Sequence, residues 1–246
     1  GAEIVVSVGG YAAFAPVLAA AWLRLPVALV NTDAVPGLAN RLAGRFADLV
    51  FVGFEGAAPV FTRSGAPERV QVPGIPVRRT LVEAFEGAPP RRAPATPIRL
   101  LVFGGSQGAR QLNEAMMGVL TKVDLAKLDI FLQTGEADRE RMKVAYAAAG
   151  ARAEVVAFEP DMPARYRWAD LALCRSGAMT VAELGLAGLP ALLVPYPHAA
   201  NAEQSANARE LAARGAALLL PSKSFDSDVL ARELSGARRV ATGDDE

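Results

Sequence analysis

Residues Leu171 to Gly188 read LALCRSGAMTVAELGLAG, and three kinds of local order follow one another there without a break. Leu171 to Cys174 is short and wholly apolar, the pattern of a strand buried on both faces. Arg175-Ser176-Gly177-Ala178 supplies small and polar residues for a turn, and Met179 to Ala187 carries helical periodicity. A strand entering a helix through such a turn leaves backbone N–H groups free at the helix N-terminus, and those groups suit an anion such as phosphate. One turn into the helix stands Glu183, placed to accept hydrogen bonds from the hydroxyls of a sugar. An anion at the helix start with a hydroxyl acceptor beyond it is a nucleoside-diphosphate arrangement. The plainer reading has Ser176 capping the helix and Glu183 on a solvent face.

Around this unit the chain alternates strand and helix. In the first part, Glu3–Val8, Pro26–Val30, Leu49–Val52 and Val70–Val72 read as strands, with helices over Phe14–Leu23 and Asn40–Ala47. The run EGAPPRRAPATP from Glu86 to Pro97 is too rich in proline and glycine for either element and marks a linker. The alternation then restarts with strands at Ile98–Phe103, Ile130–Gln133, Glu154–Phe158, Leu171–Cys174, Ala191–Val194 and Ala216–Leu220. Helices are expected over Ala109–Leu120, Arg139–Ala149, Met162–Trp168 and Glu203–Arg214. The organisation expected is an α/β chain of two doubly wound, parallel-sheet domains. Residues 1–85 form a first, incomplete domain that begins before Gly1, 86–97 the linker, 98–222 the second domain and 223–246 a tail with one helix. Ligands of such sheets gather beyond the carboxyl ends of the strands.

Composition narrows the function. The 246 residues are 52% hydrophobic and 21% charged, and 26 basic residues balance 26 acidic ones, which argues against a nucleic-acid binder. One cysteine, Cys174, excludes internal disulfides, fits a reducing compartment and reads as an inert buried thiol. One histidine, His198, excludes a His-rich metal site. No charged leader precedes an apolar core, so no signal peptide is expected. The most apolar run, Tyr11 to Leu23, contains Pro16 and is too short to span a bilayer. Trp22-Leu23-Arg24-Leu25 combines an aromatic, aliphatics and a cation, which suits a membrane surface, although packing into the core is the expectation. Asp226-Ser227-Asp228 has the look of a metal-binding DxD but reads as a helix-start cap.

Read together, three motifs carry a family resemblance. GGSQGAR (Gly104–Arg110), CRSGAMTVAE (Cys174–Glu183) and PYPHAANAEQSANA (Pro195–Ala208) resemble the MurG family, as do SVGGYAAFAPVLAA (Ser7–Ala20) and GIPVR (Gly74–Arg78). The resemblance implies the two-domain GT-B fold and an inverting transfer of N-acetylglucosamine from UDP-GlcNAc to the undecaprenyl-linked muramoyl-pentapeptide. It implies no metal and no other cofactor. It also implies peripheral contact with the cytoplasmic face of the bacterial inner membrane. By the same resemblance Ser106 contacts the donor. Ala178, Met179, Thr180, Val181, Ala182 and Glu183 hold the diphosphate and ribose, with Glu183 on the ribose hydroxyls. Gln204 bonds the sugar, Arg78 faces the nucleotide from the interdomain side, and Glu159 matches a position that contacts uracil through its backbone. The family's HEQN appears as Val30-Asn31-Thr32-Asp33, which places Asp33 where an asparagine touches the donor, and Ile75 replaces the family's usual asparagine in GIPVR. The family's N-terminal glycine-rich loop with a histidine has no counterpart here, and no catalytic base is assigned. Plainer roles compete: Ser106 as a helix cap, Arg78 in a linker salt bridge, Gln204 on a helix surface, His198 in a loop. Two alternatives of function stand beside the transferase: a UDP-sugar-binding subunit without catalysis, and another GT-B enzyme such as a UDP-GlcNAc 2-epimerase, for which no internal acid/base set is found.

Overall fold

The computed structural model describes residues 1–62, 66–89, 91, 95–105, 108–197 and 202–242. The first sheet is parallel and runs β1 (Val5–Ser7), β2 (Val27–Asn31), β3 (Leu49–Val52), β4 (Val70–Gln71) in chain order. Helices α1 (Tyr11–Trp22), α2 (Leu38–Ala43) and α3 (Ala58–Thr62) cross between its strands, and α4 (Arg79–Phe85) follows. Val17, Leu29, Val50, Val52 and Phe61 form its core.

The second sheet contains β5 (Ile98–Phe103), β6 (Leu128–Gln133), β7 (Ala153–Val156), β8 (Leu171–Cys174), β9 (Ala191–Leu193) and β10 (Ala217–Leu219). Its strands are parallel and stand in the order β10-β9-β8-β5-β6-β7. Helices α5 (Arg110–Val119), α6 (Glu136–Ala148), α7 (Met162–Trp168), α8 (Ala178–Ala187) and α9 (Glu203–Ala212) cross over it, and α10 (Ser227–Thr242) closes the described chain. The middle strand β5 is apolar almost throughout because helices cover both faces. Its side chains alternate, with Leu100 and Val102 in the core beneath α5, α6 and α10, and Leu101 and Phe103 in the core beneath α7, α8 and α9. Strand order reverses between β5 and β8, which pair directly through Phe103 and Cys174. That reversal puts the turns after these two strands side by side, and it is where such sheets bind ligands.

Several expectations change, among them the bounds of α2, which ends at Ala43 and not Ala47, and of α6, which starts at Glu136 and not Arg139. Helix α4 was not read from the sequence, because seven residues carry little periodicity. It packs on α7 and α8, with Leu81 buried in the second sheet's core, so residues 79–85 rest on the second sheet although they precede the linker. Trp22 and Leu23 are 85% and 60% exposed instead of packed, since the inward face of α1 is the one carrying Val17 and Ala20. Helix α1 runs from Tyr11 straight through Pro16, three residues earlier than its pattern suggested. The linker holds neither helix nor strand among its described residues. Arg91 anchors it by donating to the carbonyls of Tyr166, Ala169 and Ala187 at the ends of α7 and α8. The closing Gly-Asp-Asp-Glu lies outside the described residues.

Candidate functional site

The glycine turn after β5 is shaped by its backbone. Gly108 has φ +76°, and a Cβ there would sit 1.9 Å from the Thr134 carbonyl oxygen. A Cβ at Gly104 would meet that of Ala109 at 2.2 Å, so the turn folds tightly against β6 and its own helix. Gln133 fixes it from the side, donating to the Gly105 carbonyl at 2.8 Å while accepting from the Glu159 N–H at 2.9 Å. Ser106 and Gln107 lie outside the described residues.

The turn after β8 behaves differently from the plain reading. Gly177 caps α8 with no side-chain hydrogen bond, which leaves the first N–H groups of that helix open. Ser176 is fully buried and does not cap; its hydroxyl donates to the Gln204 carbonyl at 2.8 Å and ties α9 to the turn. Between the two turns opens a cavity of about 600 Å³ whose walls include Phe103, Gly105, Arg110, Arg175, Thr180 and Gln204. The N-termini of α5 and α8 both end at this cavity, a setting that favours a polyanion.

Arg175 is the residue sequence reading passed over, treated only as part of a turn. Its Nη1 donates to Gln111 Oε1 and to the carbonyls of Val194 and Pro195, each at 3.1 Å, and its guanidinium carbon stands 5.6 Å from the centre of the Tyr196 ring. All these partners are neutral, and burial pulls the guanidinium pKa down. A half-buried cation without a carboxylate partner among the described residues leaves the cavity positively charged. A cationic residue directly after a buried strand, in a turn that opens a helix, is the signal that could have found it.

Of the other expected residues that are described, Thr180 and Gln204 line this cavity, while Asp33, Arg78, Glu159, Ala178, Met179, Val181, Ala182 and Glu183 are not in its wall. Gln204 lines the cavity, and its Oε1 accepts the Tyr196 N–H at 2.9 Å. Glu183 is 9% exposed and not on a solvent face; it accepts the Tyr166 hydroxyl at 2.7 Å and lies 3.6 Å from Arg78 Nη2. Arg78, at the start of α4, thus pairs with a carboxylate of α8. Val181 is buried in the core, and with Ala182 it faces a separate hollow beside Phe54 and Ile75, so these two have only backbone to offer a diphosphate. Ala178 is buried and Met179 half exposed at the open helix start. The Glu159 N–H is engaged by Gln133, and its carboxylate binds the Asp161 N–H and Arg165 Nε, so the carbonyl is the backbone group it retains for a base. Asp33 Oδ1 accepts from Asn207 Nδ2 at 2.9 Å.

The remaining candidates resolve simply. Cys174 is fully buried, and burial pushes its thiol pKa far up, so it is a packing residue. Asp226 accepts the N–H groups of Asp228 and Val229 at the start of α10, and the Val229 bond leads in holding its carboxyl below the usual range. This is the capping role expected of it. His198 lies outside the described residues.

Comparison with known proteins agrees with this geometry. The glycosyltransferase family 28 C-terminal domain matches residues 99–240, and the N-terminal domain of the same family matches residues 2–52. A UDP-N-acetylglucosamine–N-acetylmuramyl-(pentapeptide) pyrophosphoryl-undecaprenol N-acetylglucosamine transferase of Nitratidesulfovibrio vulgaris strain Hildenborough is 45% identical over 223 residues. The alignment takes in 90% of this chain and 60% of that protein, so the chain spans about three fifths of this relative's length. The crystal structure of Acinetobacter baumannii MurG superposes with a TM-score of 0.77 at 31% identity, over 98% of this chain and 69% of that one. A Neisseria meningitidis UDP-GlcNAc 2-epimerase, solved with UDP-GlcNAc bound, shares the fold alone, with a TM-score of 0.67 at 14% identity over 96% of this chain and 68% of that one. On the family match across the second sheet and the likeness to MurG over nearly the whole chain, this chain belongs to glycosyltransferase family 28, in its MurG group.

Proposed function

We propose that the protein transfers N-acetylglucosamine from UDP-GlcNAc to undecaprenyl-diphospho-muramoyl-pentapeptide with inversion at the anomeric carbon. The observation that carries this reading is the cavity at the strand-order reversal, where two open helix N-termini and Arg175 converge beside Gln204 and Thr180. In the proposed reaction an acceptor sugar hydroxyl attacks the anomeric carbon and releases its proton to solvent as the bond to the diphosphate oxygen breaks. The electron pair leaves with UDP, and the charge that develops is met by the helix N–H groups and by Arg175. Glu183, oriented by Tyr166 and Arg78, accepts hydrogen bonds from the ribose hydroxyls, and Gln204 donates to the sugar. Thr180 and the backbone of Ala178–Ala182 frame the diphosphate, with Ser106 on the donor and Glu159 on the uracil.

The acceptor is lipid-linked, so the reaction takes place at a membrane surface, on the cytoplasmic side. Among the described residues no helix is long and apolar enough to cross a bilayer. Exposed Trp22 and Leu23 beside Arg24 at the end of α1 support peripheral contact.

The test uses the full-length protein with UDP-GlcNAc and a lipid-linked muramoyl acceptor. UDP release is expected, with loss of that release in Glu183→Ala; an unchanged rate in the variant rejects the role of Glu183. A second reading, a UDP-sugar-binding subunit without catalysis, is favoured by the Val30–Asp33 turn, where Asn31 and Asp33 are spent on bonds within the protein. Calorimetric UDP binding without turnover by the full-length protein selects it.

A further inference from the structure

Strand β6 ends on a polar residue that its packing does not call for. Ile130, Phe131 and Leu132 are buried in the two cores of the second sheet, and Gln133 follows them with 4% of its surface exposed. A buried amide is costly unless its donor and its acceptor are both bonded. Here they are bonded to different turns. β6 lies between β5 and β7 in the sheet, with Gln133 in register with Phe103 on one side and Val156 on the other. Its Nε2 donates to the Gly105 carbonyl at 2.8 Å, and its Oε1 accepts the Glu159 N–H at 2.9 Å. Gly105 lines the cavity, and its carbonyl also closes the glycine turn by accepting the Gly108 N–H at 3.0 Å. On the far side the Glu159 carboxylate accepts the Asp161 N–H at 2.8 Å and Arg165 Nε at 2.7 Å, and the Arg165 guanidinium carbon stands 3.7 Å from the centre of the Phe131 ring. An unbroken run of bonds therefore leads from α7 through Glu159 and Gln133 to the cavity wall.

We infer that Gln133 is a positioning residue that holds the glycine turn and the Glu159 turn at one spacing, so that the diphosphate and the base of a single nucleotide are bound together. This rests on the proposed reading, in which the glycine turn opens the diphosphate cavity and Glu159 meets the uracil. Gly105 has φ +99° and no atom within 4 Å of where a Cβ would sit, so packing at its own α-carbon does not hold the turn. The Gln133 amide supplies the hold from β6. A turn fixed before the ligand arrives need not be ordered by binding, and affinity is higher by that amount. The effect is largest for a ligand long enough to touch both turns.

The probes are UDP and uridine, titrated by calorimetry against the full-length protein. Gln133→Met keeps the volume and removes both bonds; the Kd for UDP is expected to rise by about tenfold or more, and that for uridine to rise as well. Gln133→Glu separates the two ends. Ionised, the new carboxylate still accepts the Glu159 N–H but turns a second acceptor on the Gly105 carbonyl; protonated, it donates to that carbonyl and reproduces the amide. The ratio of the variant's Kd for UDP to that of wild type is therefore expected to be about tenfold at about pH 9 and to return to within about twofold at about pH 5, while uridine binds both proteins alike throughout. Every group the two proteins share cancels in that ratio, among them Glu154, Glu159, Asp161 and Arg165 around the turn after β7 and Asp138 on α6. A Gln133→Met protein that binds UDP as tightly as wild type, or a Gln133→Glu ratio that does not change with pH, overturns the inference. If Gln133→Met does not fold, Gln133→Glu followed upward from about pH 5, where both bonds are restored, carries the test alone. Hydrogen exchange at the Glu159 amide needs no ligand: it is expected to quicken in Gln133→Met and to stay as in wild type in Gln133→Glu. Wild-type protein that does not bind UDP overturns the proposed function instead, and an amide that exchanges no faster in Gln133→Met then shows that Gln133 does not hold the turn.

Discussion

Tyr166 donates its hydroxyl to Glu183 Oε2 across 2.7 Å, so the Glu183 carboxylate is anchored from the core side by a phenol. Tyr166 is 1% exposed, and burial, then the Glu183 charge, raises its own pKa far above the ordinary value. It cannot surrender this proton in any working pH range, so the bond is a permanent support. Tyr166→Phe leaves the packing intact and removes one partner of a buried charge, at an expected cost of about 2 kcal/mol in urea unfolding. Arg78→Ala removes an ion pair whose arginine side chain is 57% exposed and shifts the same measurement by less than about 0.5 kcal/mol. Equal effects from the two variants contradict this ranking.

Arg175 gives a second expectation. Because its hydrogen bonds run to neutral oxygens, Arg175→Gln keeps much of the hydrogen bonding and removes the charge. UDP binding by calorimetry weakens by about tenfold or more, the worth of a hydrogen bond to a charged group. Uridine, which has no diphosphate, binds both proteins alike. Equal losses for uridine and UDP place the effect in the fold instead of in the charge.

Strands β3, β5 and β8 and helix α7 were legible to the residue, because wholly apolar runs bounded by turn residues have few alternatives in a parallel sheet. The pairing of the two turns was legible too, once six strands with crossovers imply an order that reverses. What stayed hidden was which side chains meet across long stretches of chain. Asn207 and Asp33 are 174 residues apart and Glu159 and Gln133 are 26 apart, and no local pattern encodes either bond. Trp22 was misjudged for the opposite reason: an apolar run says nothing of which helix face the sheet will cover.

The glycine turn allows a sharp contrast. Gly108→Ala adds a Cβ 1.9 Å from the Thr134 carbonyl oxygen at φ +76°, so the backbone on one side of the contact must shift. Its cost exceeds about 3 kcal/mol in urea unfolding. Gly105→Ala at φ +99° meets no atom within 4 Å, so backbone strain of about 1–3 kcal/mol is its whole penalty. A Gly108→Ala protein as stable as the Gly105→Ala protein shows that the turn relaxes.

Glu203 links pH to stability. Its carboxyl pKa is raised first by burial and then by the Asp33 charge, so the folded protein keeps this proton at pH values where the unfolded chain has released it. The contribution of this group is therefore fully present below the unfolded value of about 4.3 and is lost as pH rises through the folded value. Glu203→Gln carries no charge at any pH and escapes that loss. Melting curves taken from about pH 4 to about pH 8 are expected to show the variant at or above wild type at the upper end, with the gap closing as pH falls. A gap that widens toward low pH has the wrong sign for a carboxyl held up by a neighbouring carboxylate, and it moves the repulsion away from the Asp33–Glu203 pair.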